Sequence, residues 1–357
     1  YDTRRPWRAA NAEILIGGMI KMIYNQINGE KISRLGMGAM RLPIKEGGKD
    51  KDIDYEKAEA IIEQGMKNGV NYYDTAHVYH GGGFSEKFLG DVISKYPRES
   101  YNLATKYNIG AEKDFKKCFN EQLERLQTDH IDFYLIHCLL DMNIDEYINS
   151  GCIEFFEQMK AEGKIRYLGF SSHASTETLD RFAGIRKWDF AQIQFNYYDW
   201  LFGNAKNEYE VLTAHNLPII TMESIRGGRL SDLGEEPNKI LKKAHPEWSI
   251  SSWALRWIMK KPGILLSLSG MSTDDQMKDN LLTYEADNAL SDDDEKTLFK
   301  ACELFRSQLI VPCTACRYCC DGCPAQINIP EILKVYNNYK LQGDWALNGL
   351  EHVKTTG

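Results

Sequence analysis

Asp74, Tyr79, Lys106 and His137 are the residues whose types and spacing most invite a chemical reading. Asp74 closes the apolar run VNYYD, and Tyr79 follows five residues later. Lys106 closes YNLATK, and His137 closes DFYLIH. Singly, each has an ordinary role: a cap, a loop aromatic, a solvated strand end, a core histidine. Together, at the ends of three successive apolar runs, they form a set suited to protonating a carbonyl oxygen as hydride arrives at carbon. A phenol is a poor acid near neutrality, with a pKa of about 10. A neighbouring ammonium lowers that value, and a carboxylate keeps the ammonium charged and placed. An imidazole orients the carbonyl or shares the proton transfer.

Something must bring these ends together. Eight short apolar runs alternate with amphipathic stretches between residues 35 and 285: LGMGAM, VNYYD, YNLATK, DFYLIH, IRYLGFS, FAQIQF, PIITME and ILLSLSG. Several read as strands buried on both faces, as parallel strands are. Between Asp114 and Thr128, Phe115, Phe119, Leu123 and Leu126 make one helical stripe. The stretch YEKAEAIIEQGMKNG ends at Gly69, a C-cap signal. The fold class is therefore α/β, a (β/α)8 TIM barrel, in which chemistry sits at the C-terminal ends of the strands. No GxGxxG follows an early strand, which argues against a Rossmann domain. Asn28-Gly29 between two alternating segments predicts a hairpin ahead of the barrel.

The expected divisions are 1–21, an N-terminal extension; 22–290, the barrel; and 291–357, a helix N-capped by Ser291 followed by a small, mostly helical module. The chain has 357 residues and a formal net charge of −8, so no general attraction to nucleic acid or an anionic membrane is expected.

The four residues, in DTAHVYHGGGFSE, ATK and LIH, carry a resemblance to the aldo-keto reductase family from about residue 30 to 285. The resemblance implies a barrel that binds NADP or NAD in extended form and reduces a small-molecule carbonyl, with Tyr79 as general acid beside Lys106 and Asp74. It also implies cofactor contacts. Ser171, with Ser172 where the family has asparagine, and Gln192 would hold the carboxamide. Met222 stands where many members stack an aromatic ring. Gly227, Gly228 and Leu230 match the loop past the pyrophosphate. Gly270, Ser272, Gln276 and Asn280 match the adenosine end, and Gly38 and Met40 the first strand's end. Gln276 replaces the arginine of many NADP-dependent members, and its neighbours Asp274 and Asp275 are acidic. Strict NADPH use is therefore not expected. Tyr197 to Trp200 and Trp248 are candidates for aromatic walls of the substrate pocket, with barrel packing the more ordinary role of Trp248.

Five of the nine cysteines crowd into residues 313–323. Cys313, Cys316, Cys319 and Cys323, followed by Pro324, spell C-x2-C-x2-C-x3-C-P, the ferredoxin run that binds one [4Fe–4S] cluster. Zinc sites more often split two cysteine pairs across a longer gap. Cys323 is the favoured fourth ligand, with Cys302 the alternative. The run resembles the iron–sulfur extension of a bacterial subgroup of the same family, which shares the MExxxGG and INIPEI stretches. A reducing, cytoplasmic location follows as an expectation, and a redox protein as a partner. Two other functions stay open: an epimerase or isomerase that keeps its nicotinamide bound, and a nicotinamide-binding redox sensor.

Overall fold

The computed structural model describes residues 22–308, 311, 319, 323–325 and 327–342. Residues 1–21, and Cys313 and Cys316 of the cysteine run, lie outside the described residues.

The chain opens with a two-stranded hairpin, β1 (Tyr24–Ile27) and β2 (Glu30–Ser33). Asn28 and Gly29 both take positive φ, as a two-residue hairpin turn requires. Eight parallel strands follow: β3 (Leu35–Gly38), β4 (Tyr72–Asp74), β5 (Asn102–Tyr107), β6 (Ile131–Leu139), β7 (Ile165–Ser172), β8 (Phe190–Gln194), β9 (Ile219–Met222) and β10 (Ile264–Ser269). Each matches one of the eight apolar runs. They close into a barrel in sequence order, with β10 pairing β3.

The helices are α1 (Tyr55–Lys67), α2 (Phe84–Ile93), α3 (Phe115–Leu126), α4 (Ile144–Asn149), α5 (Cys152–Ala161), α6 (Thr176–Gly184) and α7 (Tyr197–Phe202). They continue with α8 (Ala205–Ala214), α9 (Glu235–Ala244), α10 (Ile250–Met259), α11 (Asp274–Thr283), α12 (Asp292–Ser307) and α13 (Ile329–Gln342). Side-chain caps fix many of their starts: Asp54, Asp114, Ser175, Ser249, Thr273 and Ser291 each accept from a first-turn amide. Ser291 and Asp294 complete a reciprocal capping box.

Two apolar layers result. The larger lies between strands and helices. The smaller fills the barrel: Tyr72, Ala104, Phe133, Leu135, Tyr167, Phe190, Ile220, Leu266 and Leu268, closed from below by Ile27 and Ile32 of the hairpin. Tyr167 donates to the Ile27 carbonyl at 3.3 Å, so the hairpin plugs the N-terminal end.

Helix α12 runs the height of the barrel. Its first turn meets the end of α10, where Lys260 pairs with Asp292 at 2.6 Å and Trp257 donates to Glu295 at 2.9 Å. Its last turn meets α7, which follows β8: Phe305 lies edge-on to Tyr198, and the Arg306 guanidinium sits 4.1 Å over the Phe202 ring. Leu298, Ala301, Cys302 and Phe305 join the barrel's own core, so the unit expected from residue 291 begins with a helix that shares that core. Beyond it, the Asn337 amide bonds both the N–H and the C=O of Val311, at 3.1 and 2.7 Å. This side chain ties together the two ends of the segment that carries the cysteine run.

Candidate active site

Residues two apart on a strand share a face. Tyr72, Ala104, Leu135, Phe190 and Ile220 belong to the barrel's inner layer. Asp74, Lys106, His137, Gln192 and Met222 each stand two positions further on, and so form a ring directly above the apolar plug, polar except at Met222. Ser171 joins it, four positions after Tyr167. The ring sits at the C-terminal ends of the strands, opposite the hairpin. Tyr79 reaches it from the loop after β4. Three strands run past their expected ends, β5 to Tyr107, β6 to Leu139 and β7 to Ser172. Strand β6 does so through an irregularity at Cys138, which has φ 57° and whose N–H donates to Ser171 Oγ at 2.8 Å.

Lys106 is fully buried. Its Nζ lies 2.5 Å from Asp74 Oδ1 and donates to the Thr75 carbonyl at 2.7 Å. The same Nζ sits 5.0 Å from the centre of the Tyr79 ring, and the His137 ring meets Tyr79 edge-on at 5.8 Å. The four residues of the sequence reading therefore meet in one place.

Their electrostatics depart from that reading in one respect. The Tyr79 pKa is pushed well above the ordinary phenol value, chiefly by desolvation and further by Asp74, Cys138 and Glu223. Lys106 was expected to lower it, but its charge is matched at contact distance by Asp74. Burial pulls Lys106 down and pushes Asp74 up, each opposed by the other's charge. His137 is held well below the ordinary imidazole value by desolvation, then by Lys106, His173 and His77. At neutral pH Tyr79 keeps its proton and His137 is uncharged.

Three buried atoms of this ring have no hydrogen-bond partner: Asp74 Oδ2, His137 Nδ1 and Gln192 Oε1. Unpaired buried polar atoms cost about 1–3 kcal/mol each and call for an explanation. Gln192 Nε2 is occupied by Met222 Sδ at 3.4 Å, which leaves its oxygen as an acceptor. A carboxamide N–H₂ fits that acceptor.

The remaining predicted cofactor residues fall into two groups. Ser172 lies on the opposite face of β7 from Ser171, and its hydroxyl accepts from Ala174 N–H at 3.1 Å. The Leu230 side chain is in the core, and its N–H donates to Ile225 O at 3.1 Å. Gly227 and Gly228 are exposed, with φ of 63° and 94°, conformations that side chains resist. Gly38 and Gly270 lie against each other, and Met40 is exposed nearby. Gln276 Oε1 accepts from Ser272 N–H at 2.7 Å, and Asn280 donates to Ser269 Oγ at 2.8 Å. The aromatic residues named as wall candidates pack among the helices, Trp248 on Trp253. Tyr197 and Trp200 pack on Trp257 in the helix layer, and Tyr198 lies under the Arg226 guanidinium.

Sequence reasoning missed two buried networks. Glu86 accepts from Thr105 at 2.5 Å, Gln122 at 2.8 Å and Arg125 at 2.7 Å, which locks α2 and α3 against β5 beside Lys106. Asp199 gathers Gln194, Asn196 and Arg226. Burial pushes its carboxyl up, but Arg226 and the two amides outweigh this and hold it below the usual range. The N-cap spacing of Asn196 and Asp199 was the available signal.

Of the two candidates for fourth cluster ligand, Cys302 is wholly buried and its thiol is pushed strongly up by burial. Cys323 is half-buried and Cys319 exposed.

The chain matches known proteins over most of its length. The model of the Aldo/keto reductase family matches residues 34–302. The uncharacterized oxidoreductase YqkF of Bacillus subtilis is 29% identical over 310 residues, 76% of this chain and 95% of YqkF. Methylglyoxal reductase YeaE of Escherichia coli is 26% identical over 226 residues, 60% of this chain and 75% of YeaE. The solved holo form of aldo-keto reductase AKR11C1 from Bacillus halodurans superposes with a TM-score of 0.64 at 26% identity, covering 78% of this chain and 96% of that one. The barrel, the polar ring at its mouth and the span of these matches lead to one assignment: the chain belongs to the aldo/keto reductase family and is an NAD(P)-dependent oxidoreductase.

Proposed function

We propose that the protein reduces an aldehyde or ketone to an alcohol, with Asp74, Tyr79, Lys106 and His137 as its catalytic set. The observation that carries this is the buried Lys106–Asp74 pair set against Tyr79, with neutral His137 at the ring's edge. NADPH or NADH, when bound, supplies the hydride. Tyr79 gives its proton to the carbonyl oxygen as that oxygen gains charge. Its raised pKa keeps the proton available across the physiological range, and an alkoxide is a strong enough base to take it. Lys106 stabilises the phenolate left behind, and Asp74 holds Lys106 in place. Uncharged His137 donates a hydrogen bond to the same oxygen and orients it.

Gln192 and Ser171 would hold the carboxamide, and Met222 would cover the nicotinamide face. The exposed Gly227–Gly228 loop would run past the diphosphate, with Gly270, Ser272, Gln276 and Asn280 at the adenosine end. The name of YeaE supports small oxoaldehydes as the first substrates to assay. We also assign one [4Fe–4S] cluster to Cys313, Cys316, Cys319 and Cys323. The spacing of the four cysteines supports it. The Asn337–Val311 closure would hold the base of that loop.

The test is Tyr79→Phe, assayed with methylglyoxal and NADPH. The expected result is a fall in kcat of roughly 10²–10⁴-fold, with NADPH affinity within about twofold of wild type. Full reductase activity in the variant would overturn the mechanism.

A further inference from the structure

The turn expected to run past the diphosphate is built on Gly227 and Gly228, both exposed and both at positive φ. Neither has a side chain to pack, and glycine loses more freedom on ordering than any other residue. Two backbone bonds to the Ile225 carbonyl shape the turn, from Gly228 N–H at 3.0 Å and Leu230 N–H at 3.1 Å. Its order otherwise depends on its flanks, and both flanks lead to the end of α12.

The upstream flank is Arg226. It is buried, takes φ 49°, and its N–H donates to the Glu223 carbonyl at 2.7 Å. A non-glycine residue in left-handed backbone is strained and persists only where its surroundings hold it. Here two neighbouring side chains of α7 do so. Arg226 Nε donates to Asp199 Oδ1 at 3.1 Å, and the guanidinium carbon lies 4.8 Å from the centre of the Tyr198 ring. Gln194 and Asn196 each donate to Asp199 Oδ2 at 2.7 Å, so the carboxylate is itself fixed. Asn196 also donates to the Glu223 carbonyl, at 3.1 Å. Phe305 of α12 backs the Tyr198 ring in turn, edge-on at 6.0 Å. The downstream flank is Gly234, where an added Cβ would stand 3.5 Å from Gln308 Oε1, just past the end of α12.

We propose that Arg226 is a positioning residue: held by the Asp199 carboxylate and the Tyr198 ring, which α12 backs through Phe305, it fixes the Gly227–Gly228 turn in its binding-ready form before a nicotinamide dinucleotide arrives. This rests on the cofactor reading above. It goes beyond that reading by making the end of α12, where the chain enters the cysteine run, part of what sets dinucleotide affinity.

The test is equilibrium binding of NADPH and NADH to the full chain, with hydrogen exchange of residues 226–231 in the free protein. The variants are Tyr198→Leu, Tyr198→Phe, Asp199→Asn and Leu298→Ala. Tyr198→Leu and Asp199→Asn are expected to speed exchange across the turn and to weaken both dinucleotides by roughly 5–50-fold, because binding must then order the turn. Neither should lower kcat for methylglyoxal at saturating NADPH. Tyr198→Phe keeps the ring and should stay within about twofold of wild type. Leu298→Ala removes packing from the same buried face of α12 but leaves Tyr198 and Phe305 in place. It should lower the urea midpoint and leave dinucleotide affinity and exchange of the turn unchanged. Unchanged affinity in Tyr198→Leu and Asp199→Asn would overturn the assignment. So would an equal loss in Leu298→Ala, which would make the effect one of general stability, or in Tyr198→Phe. A wild type that binds no dinucleotide would instead sink the cofactor reading itself.

Discussion

Removing the charge of Asp74 and of Lys106, separately and together, separates stability from catalysis at this site. The two side chains are almost completely out of solvent, and Nζ and Oδ1 are 2.5 Å apart. At an effective dielectric of about 20, Coulomb attraction at that distance is about 7 kcal/mol. Desolvation offsets most of it, at several kcal/mol per ion. The net worth of the pair is therefore small, but the cost of breaking it is not. Lys106→Met strands a carboxylate whose Oδ2 already has no partner, and should cost about 3–5 kcal/mol. Asp74→Asn should cost less, because burial already pulls the Lys106 pKa down and the lysine can shed its proton. The double variant strands no charge and should be more stable than the sum of the single losses implies, by about 2–4 kcal/mol. Turnover should behave differently. All three variants lose the cation that steadies the Tyr79 phenolate, so kcat should fall by roughly 10²-fold or more in each. Urea unfolding, followed by far-UV circular dichroism and tryptophan fluorescence together, reads the first effect. Steady-state reduction of a small aldehyde reads the second. Additive stability losses would refute the coupling, and a double variant that regains turnover would refute the catalytic role.

Other outcomes follow from single positions. His137 has a folded pKa well below its unfolded value of about 6.5, so between the two the unfolded chain binds a proton that the folded chain does not. Stability should therefore be intact above pH 6.5 and decline below it. His137→Gln should flatten that decline in urea midpoints taken from pH 7.5 to 5, and an identical slope would count against the buried neutral imidazole. At Gly90, an added Cβ would lie 2.2 Å from the Arg125 carbonyl, which is backbone and cannot swing aside. Gly90→Ala should cost about 3 kcal/mol or more, visible as a lower thermal midpoint; a neutral result would mean that α2 and α3 can part freely. Cys302→Ser should keep the full iron and sulfide content after anaerobic purification while Cys323→Ser loses it, and the reverse pattern would exchange their roles.

The parts of the molecule legible in the sequence share a physical cause. Strands buried on both faces need continuous apolar runs, and all eight runs stand where the strands are. A reactive residue closing such a run must face the barrel mouth if the residue two before it faces the plug, and Tyr72, Ala104 and Leu135 obey this for Asp74, Lys106 and His137. The hairpin turn at Asn28-Gly29 and the cap at Ser291 were legible because they depend on chemistry within a few residues. The brace on Arg226 was not, since its supports on α7 and α12 are distant in the chain and no local pattern links them. The sign of the Tyr79 shift was missed for a related reason. Two residues named as a pair suggest mutual influence, whereas desolvation and a closer carboxylate decide the outcome.

The course of α12 bears on why a cysteine-rich segment should be joined to this barrel at all. A helix that began and ended at the plugged end would deliver the chain far from the polar ring. Instead α12 starts beside Lys260 and ends beside Tyr198 and Phe202, on the helix that follows β8. Gln308, just past its end, is the nearest neighbour an added Cβ on Gly234 would meet, in the loop region after β9. Helix α12 therefore ends on the side of the barrel where the strands have their C-terminal ends, beside Gly234. That course needs a buried helix face, and Cys302 is part of it, packed with Leu298, Ala301 and Phe305. A thiol so placed serves the packing, and the Cys302→Ser and Cys323→Ser pair reads whether it serves the cluster as well.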